Sequence, residues 1–321
     1  MKKIVAIGGG SAMPSAVLEG LKKYPIEITA VSAMTDSGGS TGKLRKDYNV
    51  LPPGDIRRAF IALSSAPQNL KNLFSYRFSS GSLSGHNLGN LLISGLEMEL
   101  GCFEKVLDVI HDFLKISGRV LPVTKDKSHV VAVLENGKIV NGERNIDVPK
   151  HDGKLKIKKV FLKPEATAFK PVREAIIAAD AIIIGPGDLF SSLIPCLLPK
   201  GIKEALKKTK AKKIYICNIL TKHGETKGFC VSDFVEEIKK YGFTPDFVIY
   251  NNKIPASEEV RKYKKNRSLL LGCVKIDEKT KKKETAMIGR DVLKKKGILE
   301  HDKNKLAKII VKIINNSRNK K

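Results

Sequence analysis

Residues 4–20 read IVAIGGGSAMPSAVLEG, and they restrict the fold more than any other stretch. Residues 4–7 are a short apolar run of strand type. Gly8, Gly9 and Gly10 follow at once. Residues 14–22 then suit a helix, with Ala16, Val17, Leu18 and Leu21 as its apolar set. A strand, a glycine turn and a helix start leave backbone N–H groups facing whatever occupies the turn. Glycine allows positive φ there and removes the Cβ atoms that would block a phosphate. The spacing is neither the full dinucleotide fingerprint nor a P-loop, since no Gly-Lys-Ser/Thr follows. A tight structural turn in an α/β domain would use the same residues.

The same pattern recurs. Residues 26–34 (IEITAVSAM) form a second strand that runs into the polar loop 35–42 (TDSGGSTG). In an open parallel sheet such loops sit at the carboxyl edge, where ligands bind. Asp36 is the candidate ligand for Mg²⁺, and Ser37, Gly38 and Gly39 are candidates to face a phosphate. Residues 43–50 read as a charged connector. Asp55 either caps the helix over 56–65 or adds a second carboxylate beside Asp36. Arg57, a cation in the first helical turn, is better placed to meet phosphate than the helix dipole. Asn87 and Asn90 open the helix over 88–100 and present amides able to read a base or a sugar hydroxyl. His86 is an acid/base group or a hydrogen-bonded surface residue. Further strands over 181–184, 213–218 and 246–250 end in loops carrying Gly185, Gly187, Asp188 and Asn218.

Residues 118–163 differ in character. Asn136-Gly137 and Asn141-Gly142 separate strand-like runs and favour hairpins. These residues predict a small antiparallel β insertion with nothing catalytic in it. The fold class is therefore α/β: a Rossmann-like, mostly parallel sheet with helices on both faces and a small antiparallel β insertion. Residues 1–260 would form the nucleotide-binding core and residues 261–321 a basic extension packing on it.

Composition narrows the function. The net charge is +26, and more than half of the excess falls after residue 260. Most of the cations are lysine, with little aromatic interleaving, so dedicated nucleic-acid recognition is not expected. No run of apolar residues is long enough for a membrane span. The apolar run after the initial Met-Lys-Lys is too short for a signal peptide. Five cysteines without a Cys-x-x-Cys pair suit a reducing, cytoplasmic setting.

Several stretches resemble one family in order along the chain: IGGGSAMPSAVLEGL, TAVSAMTDSGGSTGKLR, LPPGDIR, LFSYRF, GHNLGNLL, GRVLPVT, IIGPGDLFSSLIPCLL and ICNILTKHGET. They resemble the gluconeogenesis factors, relatives of the 2-phospho-L-lactate transferases, and GRVLPVT and GHNLGN fit the gluconeogenesis factor branch better. The resemblance implies a Rossmann-like core for a nucleotide or nucleotide sugar, with ligands of the UDP-N-acetylglucosamine type. It also implies a role in carbon metabolism and the maintenance of cell shape. Carried over by motif, Gly8, Gly9, Gly10, Ser11, Gly185, Gly187 and Asp188 would hold a diphosphate, with Asn218 a further contact. The chain departs from the family pattern at Ser11-Ala12, where Thr-Gly is usual, at Ser37, where a second Asp is usual, and at Asp188, where Ser is usual. An acid at 188 beside a diphosphate requires a metal or a lysine between them.

Two functions follow as expectations. The leading one is a regulatory protein that binds a nucleotide sugar or nucleoside diphosphate, with homo-oligomers and regulatory protein partners as further expectations. The alternative is a Mg²⁺-dependent phosphoryl or phospholactyl-type transferase that uses a nucleoside-diphosphate-linked donor.

Overall fold

Strands buried on both faces of a parallel sheet must be apolar throughout, not alternating. The computed structural model puts such runs at the centre of the molecule. It describes residues 1–265, 267, 269–281, 285–294 and 298–316; residues 317–321 of the basic extension lie outside the described residues. The strands in chain order are β1 (Lys2–Gly8), β2 (Ile26–Ser32), β3 (Arg119–Pro122), β4 (His129–Leu134), β5 (Ile139–Asn141), β6 (Ile157–Lys163), β7 (Ala181–Ile184), β8 (Lys212–Ile216), β9 (Leu220–Lys222), β10 (Phe247–Asn251), β11 (Leu270–Cys273) and β12 (Ala286–Arg290).

Seven of them form one parallel sheet in the order β12-β10-β8-β7-β1-β2-β3. In the middle, Ile4 of β1 sits opposite Ile28 of β2 on one side and Ala181 of β7 on the other. From β1 the chain runs outward through β2 and β3, then returns to β7 and runs outward the other way. The order reverses between β1 and β7, and open α/β sheets leave a crevice at that reversal. Helices pack around the sheet, the α/β arrangement read from the sequence. No described helix is long and apolar enough to cross a membrane.

Three boundaries differ from the sequence reading. Residues 119–122 are not part of the antiparallel insertion: they are the edge strand of the main sheet, paired in parallel with β2. Their run Arg-Val-Leu-Pro is too short to carry a period, so only the pairing distinguishes the two sheets. The insertion proper is the three-stranded antiparallel sheet β5-β4-β6. Second, Asn136-Gly137 does close the β4–β5 hairpin, with Gly137 at φ 84°. Asn141-Gly142 instead turns into a short helix, Glu143–Asp147, with Gly142 at φ 87°. Third, residues 43–50 are not a connector: a helix, Gly39–Tyr48, begins inside the glycine loop and ends at Asn49 in the left-handed region, with φ 50°.

Beyond residue 260, β12 pairs in parallel with β10. The helix Lys303–Asn315 packs on the segment Pro14–Leu21, where a Cβ built on Gly20 would stand 2.3 Å from the Lys303 carbonyl oxygen. Leu270–Cys273 pairs antiparallel with β9 and stays outside the main sheet.

Candidate functional site

The loops after β1 and β7 meet at the reversal of strand order. Both run into a π-helical turn, Pro14–Leu18 and Leu189–Leu193, a conformation that recurs at functional sites. Close packing explains the glycines. A Cβ on Gly9 would stand 2.5 Å from Asp55 Oδ2 and 3.0 Å from Ala33 Cβ. Gly10 takes φ 69° and Gly185 φ 85°, backbone that a side chain would strain.

Two lobes open from these loops. One, of about 470 Å³, is bounded by Gly9, Gly10, Gly187, Asn218 and the C-terminal residues Tyr263, Arg267 and His301, with Ile219, Leu220, Leu270 and Leu299 as an apolar side. The other, of about 480 Å³, is polar. It is lined by Asp36, Asp55 and Glu143 among the acids and by Arg57, Arg58, Arg77 and Arg144 among the bases. Gly10, Ser11, Asp188 and Ser192 border both lobes, so the two are halves of one crevice.

At the junction lies an ion cluster. Lys222, 7% exposed, pairs with Asp188 Oδ2 at 2.8 Å, with Glu225 Oε1 at 3.2 Å and with Asp147. Burial alone would lower the pKa of the ammonium; the carboxylates of Glu225, Asp188 and Asp147 outweigh it and leave the pKa raised. Glu225 also accepts hydrogen bonds from Phe190 N, Ser191 N and the Ser191 hydroxyl. The acid at 188 thus has a lysine beside it, one ammonium shared among three carboxylates. Asp147, Asp188 and Glu225 are close enough to share a cation among the described residues, and Lys222 already fills that role.

In the polar lobe Asp36 Oδ1 caps Gly38 N at 2.9 Å. Asp55, 6% exposed, is pushed up to about 6 by burial, against the pull of Arg58 and with a further push from Asp36. Glu143 is pushed up to about 8, by burial first and then by Asp36. Asp36, Asp55 and Glu143 thus form an all-oxygen set, with Asp55 ion-paired to Arg58. Such a set suits a hard divalent cation, and Asp36 with Asp55 are the residues that would hold it. The raised Glu143 has a consequence for stability. The folded chain keeps a proton that the unfolded chain releases near pH 4.3. Stability therefore falls as pH rises from there through about 8. Glu143→Gln should flatten this decline, so the drop in thermal midpoint between pH 5 and pH 8 shrinks relative to the parent protein; an unchanged drop would remove Glu143 as its source.

Residues 4–293 match the protein family described as 2-phospho-L-lactate transferase CofD. The chain belongs to this family. A gluconeogenesis factor of Halalkalibacterium halodurans is 40% identical over 320 residues, covering 97% of this chain and 96% of the relative. The gluconeogenesis factor of Bacillus subtilis is 36% identical over 319 residues, covering 97% and 98%. Among solved structures, a UPF0052 family protein from Bacillus halodurans superposes with a TM-score of 0.90 at 36% identity, over 97% of this chain and 100% of that one.

This CofD-family crevice brings together many of the residues expected from the sequence. Gly9, Gly10, Ser11, Gly187, Asp188 and Asn218 line the apolar lobe. Asp36, Gly38, Gly39, Arg57 and Asn90 line the polar one. Arg57 is held there, its Nε donating to Asn90 Oδ1 at 2.8 Å and its NH1 to Phe74 O at 3.1 Å. Burial lowers its pKa to about 10, with Arg58 and Arg77 pushing the same way. Four expected residues line neither lobe, and three of them, Gly8, Gly185 and Asn87, are buried. Gly8 ends β1 opposite Ser32. Gly185 backs onto the Ile216 carbonyl oxygen, 2.7 Å from where its Cβ would be. Asn87 is 1% exposed and caps its own helix: its side chain accepts from Asn90 N and donates to Tyr76 O. Ser37 pins the insertion, its hydroxyl accepting from Arg144 N and its own N–H donating to Glu143 Oε2.

The insertion and the C-terminal segment supply what the sequence reading missed. Glu143, Arg144 and Asp147 come from the helix that replaces the second expected hairpin. Tyr263, Arg267 and His301 come from the basic extension, where no site residue was expected. A buried lysine such as Lys222 has no local signal in a chain this rich in lysine. The acid at 188 was the one pointer to it.

Proposed function

We propose that this protein binds a nucleotide sugar, with the nucleoside in the apolar lobe, the diphosphate along the glycine loops and the sugar in the polar lobe. The observation that carries this reading is the continuity of the two lobes through Gly10, Ser11, Asp188 and Ser192. A base, a diphosphate and a sugar need that sequence of surfaces: apolar and flat, then glycine backbone, then hydrogen-bonding and charged groups. Lys222 offsets part of the charge of Asp147, Asp188 and Glu225 beside the loops where the phosphates would lie. The relatives named gluconeogenesis factors support a role in carbon metabolism; regulation and cell-shape maintenance are part of the proposal. The free cysteines suit a cytoplasmic protein. Thermal-shift titration with UDP-N-acetylglucosamine, UDP and GDP, with and without Mg²⁺, tests it. A saturable, metal-independent rise of several degrees with the UDP sugar is the expected result. No shift with any nucleotide at millimolar concentration would overturn the reading.

A second reading, transfer of a phosphoryl-type group, is favoured by the paired carboxylates Asp36 and Asp55 at the polar lobe. A divalent cation held by this pair would neutralise phosphate oxygens and stabilise charge on them. Arg57 and Arg58 would orient the same oxygens, and the buried lobe walls would exclude water. On this reading Asp36→Asn lowers metal-dependent turnover by about a hundredfold or more. Turnover intact in that variant would end the role.

A further inference from the structure

The insertion sheet hides one face and shows the other. Val130, Ala132 and Leu134 of β4, Val140 of β5, and Val160 and Leu162 of β6 turn into the core. The residues between them make the outer face, because strand residues alternate sides and paired residues share a side. On β6 these are Lys159, Phe161 and Lys163; opposite them on β4 stand Val133, Val131 and His129. β5 adds Ile139 beside Val133 and Asn141 beside Val131. An antiparallel sheet with one wet face ordinarily makes that face polar. Here Phe161 is 36% and Ile139 57% exposed. No carboxylate stands at any of these paired positions.

Positive charge gathers on the same strand. Residues 154–163 read KLKIKKVFLK, five lysines and no acid. All five lysines are exposed. Among the described residues none of their ammonium groups is ion-paired, whereas Lys125, Lys170 and Lys200 on nearby segments each pair with a glutamate. The Lys159 ammonium lies 6.0 Å from the centroid of the Phe161 ring. Lysines on an outer strand guard against edge-to-edge pairing. That role needs no exposed aromatic ring, and part of this edge is already taken: Val160 N donates to the Tyr241 hydroxyl at 3.0 Å.

We propose that the outer face of the insertion sheet binds single-stranded nucleic acid without reading its sequence. The proposal does not depend on what the crevice binds. Phe161 and His129 occupy diagonal positions on neighbouring strands, where two rings form a platform on which bases of any kind stack. Lys159 and Lys163 are four residues apart, about 13 Å along the strand. They flank the Phe161 ring and meet backbone phosphates on either side of a stacked base. Lysine meets phosphate as a point charge and lacks the planar fork that reads base edges, so the face positions a strand without selecting it. The whole-chain composition conceals this arrangement, because only the pairing of β4 with β6 sets both rings between the lysines.

Fluorescence anisotropy of the full chain with labelled oligouridine and oligodeoxyuridine, twelve nucleotides each, tests this. Binding should weaken with salt, and Lys159→Ala and Lys163→Ala should each flatten the log–log slope by about 0.7, the increment for one phosphate contact on a single strand. Phe161→Leu keeps apolar bulk beside Val131; it should weaken binding about tenfold at an unchanged slope, and Phe161→Tyr should retain the parent affinity. The exposed pair Lys207 and Lys208, changed together to Ala on the helix Ile202–Lys208, controls for net charge and should alter neither quantity. Should Phe161→Leu fail to fold, an abasic strand on the unmodified protein replaces it and should bind about tenfold more weakly. No binding of either oligonucleotide overturns the proposal, as does a slope unchanged in both β6 lysine variants or changed equally in the Lys207 and Lys208 control. Undiminished binding by Phe161→Leu or of the abasic strand shows a merely basic surface, open to any polyanion, and overturns it too. Displacement by excess UDP would put the strand in the crevice and overturn it likewise. Tighter binding of oligouridine identifies RNA as the occupant, and tighter binding of oligodeoxyuridine identifies DNA.

Discussion

Lys222→Met should destabilise the fold by about 3 kcal/mol, because it removes one partner of a buried ion cluster and leaves the others. Lys222 is the only cation paired, among the described residues, with Asp147, Asp188 and Glu225 together. Glu225 is 4% exposed, so its charge cannot be returned to water without opening the loop. The methionine stem fills most of the volume, which confines the loss to electrostatics and hydrogen bonding. The loss should be larger at pH 8 than at pH 5. At lower pH the orphaned carboxylates take up protons and the repulsion fades, whereas a loss from packing would not depend on pH. Urea unfolding at both pH values measures this. A loss below about 1 kcal/mol at pH 8, or one that is equal at both values, would show that the cluster is not held together by this lysine.

Gly20→Val should cost about 3 kcal/mol and show its effect first in the C-terminal helix. The Cβ would stand 2.3 Å from the Lys303 carbonyl oxygen and 3.1 Å from Ala307 Cβ. The nearest atom is backbone, so no rotamer change relieves the collision. The helix Lys303–Asn315 must move outward, taking buried Leu306, Ile310 and Ile313 from their contacts. Lys303 also pairs with Glu19 in the register that the substitution disturbs. Hydrogen exchange should show faster exchange over 303–315 than over β1. Equal protection of the two in the variant and the parent would overturn the close-packing account. Gly20→Ala should lie between them, since the same contact is met with one carbon instead of three.

The parallel sheet was legible in the sequence because its strands are buried on both faces. β7 reads Ala-Ile-Ile-Ile and each residue is buried, so no period is needed to recognise it. The glycine loops were legible for the same local reason: each follows such a strand at once. What was not legible depends on distance along the chain. Asp188 and Lys222 are 34 residues apart and Asp147 and Lys222 are 75 apart, and no pattern in any one segment announces the cluster. Glu143 and Asp147 were hidden by a turn signal. Asn-Gly supports positive φ whether a strand or a helix follows, so Asn141-Gly142 alone cannot say which comes next. Asn87 shows the opposite difficulty. An amide at a helix start serves equally as a cap or as a ligand contact, and here burial selects the cap. The charged stretch after residue 260 conceals Tyr263, Arg267 and His301, because a few functional groups among many surface lysines do not alter its composition.

The position of β1 at the middle of the sheet also sets the order in which the chain can be completed. β1 has one neighbour, β2, within the first 32 residues, but the other, β7, begins only at Ala181. At a synthesis rate of about 5–20 residues per second, roughly ten seconds separate the two on the ribosome. Throughout that interval the apolar run Ile4, Val5, Ala6 and Ile7 has an open edge, a surface prone to unwanted pairing. The crevice is lined by the loop after β1 and the loop after β7 together. A nascent chain therefore acquires its crevice late, and a chain cut short before β7 would carry the glycine motif without the site.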